Sequence, residues 1–92
     1  MSTFESLRLN GKTAVVTGGG TGLGREMALA LARAGADLVV ASRRPGPIEA
    51  TARDAKVLGR RALAVPTDVT DPHQVRGLFL KALDELGRVD VL

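Results

Sequence analysis

The chain has 92 residues, 45% apolar and 25% charged, with a formal net charge of +3; this is the balance of one small globular domain. It has no cysteine, tyrosine or tryptophan, which excludes a disulfide framework and a thiolate metal site. No apolar run approaches the ~20 residues that span a bilayer.

The elements follow in a regular order. The N-terminal stretch MSTFESLRLNGKT lacks the basic-then-apolar layout of a secretory leader, so the expected location is cytoplasmic. Lys12–Thr17 is a short β-branched run that reads as a buried strand. Gly22–Ala34 is rich in helix formers, and Gly35 sits where a terminating glycine belongs. Asp37–Ala41 reads as the second buried strand and SRRPGP as a loop. A second helix is predicted over Ile48–Leu58, with Ala50, Ala55, Val57 and Leu58 as packing positions. Arg61–Val65 reads as the third strand. Asp71 then caps a third helix, with Pro72 at its first position and Gln74 completing a capping box. Val75, Leu78, Phe79, Ala82, Leu83 and Leu86 repeat at helical spacing, Gly87 ends the helix, and Arg88–Leu92 begins a fourth strand. Buried strands alternating with helices imply a parallel sheet covered on both faces. The expected architecture is α/β and doubly wound, a truncated β-α-β-α-β-α-β unit of strand order 3-2-1-4 with right-handed crossovers.

The densest signal is TGGGTGLG, residues 17–24, between the first strand and the first helix. Such a loop lies at the carboxyl edge of the sheet. The helix start offers unpaired N–H groups and partial positive charge, which favour phosphate. Glycines let the backbone approach a ligand without an intervening Cβ. The P-loop pattern fails, because Gly11-Lys12-Thr13 has Ser6 where its leading glycine should be and precedes a strand. The G-x-G-x-x-G fingerprint fails too, because its third glycine would fall on Leu23. The pattern present is Thr17-Gly18-x-x-x-Gly22-x-Gly24.

That motif resembles the nucleotide-binding motif of the classical short-chain dehydrogenase/reductase family. Asp68-Val69, just past the third strand, resembles the family's adenine-binding pair, and Gly87–Leu92 the lead-in to its Asn-Asn-Ala-Gly element. The resemblance implies a Rossmann-type sheet and covers essentially the whole chain, as the N-terminal part of a longer member. It implies that Gly18, Gly20, Thr21, Gly22, Leu23 and Gly24 line the pyrophosphate and adenosine ribose. It implies that Asp68 accepts from the adenine amino group and that the Val69 backbone reads the ring edge.

The end of the second strand bears on the cofactor. A carboxylate there hydrogen-bonds the ribose hydroxyls and repels a 2′-phosphate. Here Ser42 takes that place, followed by Arg43 and Arg44. A hydroxyl and a guanidinium suit a phosphate, so NADP(H) is expected over NAD(H), with Arg43 as the main contact. Thr21 departs from the basic residue that many NADP-preferring members carry there.

The family's catalytic Ser and Tyr-x-x-x-Lys cannot be assembled here, because the chain has no tyrosine. No catalytic residue and no metal ligand is therefore assigned. His73, at a helix start, reads as a surface residue, and Asp90 needs a partner that the sequence does not name. The expected function is the cofactor-holding portion, residues 1–92, of an NADP-dependent oxidoreductase acting on a small carbonyl or alcohol, with any homo-oligomer formed through other segments. The alternative is a non-catalytic NAD(P)-binding sensor. With two aromatics and no long basic run, nucleic acid is not an expected partner; neither is a membrane.

Overall fold

The computed structural model describes residues 9–90. β1 (Thr13–Thr17), β2 (Asp37–Ser42) and β3 (Ala62–Pro66) form a parallel sheet in the order β1-β2-β3. The register aligns Val15 with Val39 and Val39 with Leu63. Three helices alternate with the strands: α1 (Gly22–Arg33), α2 (Pro45–Val57) and α3 (Pro72–Leu86).

Alternation along the strands sends side chains to two cores. On one face Ala14, Leu38 and Val40 pack against Ala28 and Leu31 of α1 and Ile48, Ala52 and Ala55 of α2. On the other face Val15, Val39 and Ala41 meet Leu78, Ala82 and Leu86 of α3. The sheet is therefore doubly wound. β2 lies between both layers, with Leu38, Val39, Val40 and Ala41 fully buried. Burying a side chain of the Leu or Val kind contributes about 1.5–3 kcal/mol. The α3 layer is the thinner one, and Leu80 and Leu83 remain exposed on it.

Three expectations are corrected. The loop assigned to SRRPGP ends early, because α2 already starts at Pro45. Proline fits the first helical turn, whose N–H groups have no intrahelical partner anyway. Val57 and Leu58 are not packing positions: they are 82% and 39% exposed, Leu58 lying just past the helix end, while the buried stripe of α2 is Ile48, Thr51, Ala52 and Ala55. The stripe keeps i, i+3, i+4, i+7 spacing, and 57 falls off it. Finally, residues 88–90 form no strand among the described residues, and 91–92 of the expected fourth strand lie outside them. One backbone bond does link this segment to β1: Asp90 N–H donates to the Thr13 carbonyl at 2.9 Å.

Glycines end α1 and α3 as expected. Gly35 has φ +111° and Gly87 φ +82°, values that side chains rarely tolerate.

Candidate dinucleotide site at the carboxyl edge of the sheet

The glycine loop leaves β1 and turns into α1. Gly18 N–H donates to the Ala41 carbonyl at 2.8 Å, which prolongs the β1–β2 pairing by one residue. Gly18 and Gly22 have φ +71° and +56°, and a Cβ on either would project into open space. The neighbouring glycines are closed in. A Cβ on Gly19 would lie 2.9 Å from Cγ1 of Val40, and one on Gly20 would lie 2.7 Å from Cβ of Pro47. A Cβ on Gly24 would overlap the Gly18 carbonyl oxygen. So the loop rests on β2, on the start of α2 and on the first turn of α1. Its open side presents backbone and the N-terminus of α1, a combination that suits a phosphate. Leu23 is 76% exposed beside it.

The second part of the site comes from the ends of β2 and β3. Ser42 Oγ donates to the Arg44 carbonyl at 3.1 Å. Arg43 Nη2 donates to Asp68 Oδ2 at 3.0 Å. Oδ1 of Asp68 accepts from Thr70, from the backbone N–H at 2.9 Å and from the hydroxyl at 2.6 Å. The Thr70 hydroxyl, with Arg43 next, lowers the Asp68 carboxyl from its ordinary 3.8 to about 2. Its hydrogen bond to Asp68 raises the Arg43 guanidinium above its ordinary value.

Two open cavities meet at this edge. One, of about 220 Å³, is bounded by Gly18, Gly20, Thr21, Ser42, Arg43 and Arg44. The other, of about 450 Å³, adds Thr17, Asp68, Val69 and Thr70 to the shared Gly18, Ser42 and Arg43. Eight residues singled out from the sequence are thus brought together. Gly22 and Leu23 stand at the helix start outside both cavities, and Gly24 faces inward. A separate cavity of about 350 Å³ on the flank of α2 and β3 includes none of them.

Several supporting residues escaped the sequence reading. Thr51 is fully buried and its hydroxyl donates to the Gly19 carbonyl at 2.9 Å. Its signal was its place on the apolar stripe of α2. Gln74 does not complete the expected capping box: Asp71 N–H donates to the Asp68 carbonyl, and Gln74 Oε1 accepts from Asp68 N–H at 2.8 Å. Asp71 does cap α3, accepting from His73 N–H at 2.9 Å. Asp90 finds its partners in Arg88, through two bonds of 2.6 Å, and in Thr13 N–H at 3.0 Å. Arg88 holds the Asp90 carboxyl below its ordinary range. Among the described residues there is no cluster of three His, Cys, Asp or Glu that could hold a metal, and no helix long and apolar enough to cross a membrane.

The family model for short chain dehydrogenase matches residues 12–92. The chain belongs to the short-chain dehydrogenase family. An uncharacterized oxidoreductase of Mycobacterium tuberculosis is 41% identical over 97% of this chain and 34% of its own length. An L-rhamnose 1-dehydrogenase (NAD(P)(+)) of a Sphingomonas species is 40% identical over 91% of this chain and 34% of its own length. A 7α-hydroxysteroid dehydrogenase solved with NADH and 7-oxo glycochenodeoxycholic acid superposes with a TM-score of 0.88 at 36% identity, covering 98% of this chain and 35% of that one. The chain spans about a third of the length of the curated relatives it matches. Short-chain dehydrogenases bind NAD(P)(H) and small substrates, and the cradle described here fits such a dinucleotide: open backbone at Gly18 and Gly22, a helix N-terminus, and a cationic rim.

Proposed function

We propose that residues 1–92 form the N-terminal part of a single dinucleotide-binding domain in an NADP-dependent short-chain oxidoreductase. The observation that carries the preference is the end of β2. Ser42, Arg43 and Arg44 stand where a carboxylate would repel a 2′-phosphate, and Arg43 is 71% exposed at the cavity. In this reading the glycine loop and the start of α1 hold the diphosphate, and Arg43 turns from Asp68 to the 2′-phosphate. Asp68 is then free to accept from the adenine amino group, with the Val69 backbone beside it. The nicotinamide, when bound, carries the hydride exchanged with a carbonyl or alcohol. The proton-transferring tyrosine that such a reaction uses is not among these residues, so their own role is to hold and orient the cofactor.

Titration of the purified chain with NADPH and NADH tests this directly. The expected result is tighter NADPH binding by about tenfold or more; equal affinities would sink the preference. The second reading is a cofactor-binding sensor without a reaction. A full-length protein that binds NADPH but reduces no carbonyl across a broad panel would favour the sensor.

A further inference from the structure

The glycine loop is tied to α2 by a polar chain that is buried at Thr51 and reaches the surface at Arg25 and Asp54. Thr51 Oγ1 lies 2.9 Å from the Gly19 carbonyl and 3.2 Å from that of Pro47, and it accepts from Arg25 Nη1 at 3.1 Å. Arg25 is in turn paired with Asp54. A hydroxyl has one proton to give. The Arg25 N–H occupies one of its lone pairs, so the proton is directed at a carbonyl, and the shorter path leads to Gly19. Charge at the head of such a chain strengthens the bonds behind it.

The peptide between Gly19 and Gly20 is planar and trans, so its C=O and N–H point in opposite directions. Thr51 is fully buried. The Gly19 carbonyl therefore points inward, and the Gly20 N–H points away from the interior. Gly20 itself borders the cavity shared with Ser42 and Arg43. Without the hydroxyl, nothing polar on α2 would fix this peptide, and two glycines are the residues freest to rotate it.

We infer that Thr51 is a positioning residue of the dinucleotide site: by holding the Gly19 carbonyl inward, it aims the Gly20 N–H outward into the cavity that Ser42 and Arg43 border, and Arg25 keeps the hydroxyl turned to donate. This inference rests on the cofactor reading above. It predicts a binding defect for ligands that carry an adenosine 2′-phosphate into that cavity.

The purified chain is titrated with NADPH and with 2′-AMP, which has adenine and a 2′-phosphate but no diphosphate. Thr51→Val keeps the shape and removes the hydroxyl. It is expected to weaken both ligands about tenfold, with binding restored in Thr51→Ser. Unchanged binding in Thr51→Val, or no recovery in Thr51→Ser, overturns the inference. If Thr51→Val does not fold, Arg25→Gln at its partly exposed site is read the same way. A loss of about threefold in both ligands supports the inference, and no loss overturns it. The carbonyl-carbon chemical shift of Gly19 in the unliganded chain needs no nucleotide. It should move in Thr51→Val and return in Thr51→Ser, and a shift that stays put overturns the inference. A wild-type chain that binds neither ligand overturns the cofactor reading and the inference with it. A wild-type chain that binds both, beside a Thr51→Val chain that binds both as tightly, overturns the inference alone.

Discussion

The two halves of the candidate site are built from different material. The glycine loop is backbone held from beneath: Gly24 lies against the Gly18 carbonyl, Gly20 against Pro47, and Gly19 against Val40 and Thr51. The rim is made of side chains reaching across water, with Arg43 and Asp68 joined between the ends of β2 and β3. The loop's shape is therefore part of the fold, and a change there is felt as lost stability. The rim's charges sit on the fold, and a change there is felt as altered binding. An exposed ion pair contributes little to stability, so the rim can be rebuilt at small cost.

The largest expected effect tests the loop. Gly24→Ala drives a Cβ into the Gly18 carbonyl, a backbone atom that cannot swing aside. It should lower stability by about 3 kcal/mol, a large share of the roughly 5–15 kcal/mol of an ordinary domain. Urea denaturation measures it, and a loss below about 1 kcal/mol would mean the loop yields as readily as the rim.

Arg43→Ala tests the rim. Loss of a hydrogen bond to a charged phosphate should weaken NADPH by about 1.5–3 kcal/mol, while NADH binding and the urea midpoint stay close to wild type. A large stability loss instead would erase the distinction between the two regions.

A glycine outside the site sharpens the contrast. Gly77 lies inside α3, and a Cβ there meets nothing within 4 Å. Gly77→Ala should raise stability by about 0.5–1 kcal/mol, opposite in sign to Gly24→Ala. Thermal melts of the two variants side by side decide it.

The smallest effect is in pH. Asp68 is held at about 2, first by the Thr70 hydroxyl and then by Arg43, against an ordinary 3.8. The folded chain thus binds this proton less readily than the unfolded one. The ionised group adds stability above its unfolded value, and that contribution is lost as pH falls from about 4 through 2. Asp68→Asn should flatten this part of an acid-denaturation curve; an unchanged curve would show that the Thr70 and Arg43 bonds to Asp68 do not form in solution.

Much of this was legible in the sequence where one local rule decided the outcome. β1 and β2 follow from β-branched and apolar runs, the end of α1 from Gly35, and the cap of α3 from Asp71. The glycine spacing and the Ser42-Arg43-Arg44 run located the loop and the cationic side of the cavity. α2 starts earlier than its loop-like composition suggests because Pro45 and Pro47 both suit a first helical turn. Thr51 was missed because it is polar on an apolar stripe, and only the folded chain shows the Gly19 carbonyl and Arg25 meeting it. Gln74 satisfies the Asp68 N–H, upstream of the cap, because the turn over Val69 and Thr70 brings that N–H to the start of α3. No window of sequence contains the Arg43–Asp68 pair, which joins residues 25 apart.

The overlap awaiting any side chain at position 24 also constrains descent. Every non-glycine allele there meets the same carbonyl, and at Gly18 and Gly22 the positive φ weighs against most of the alphabet. Around these points a lineage can wander only by rebuilding several residues together. Positions 42–44 and 68–70, turned to water, accept change one step at a time. Single substitutions are therefore tolerated more readily at the rim than in the glycine loop.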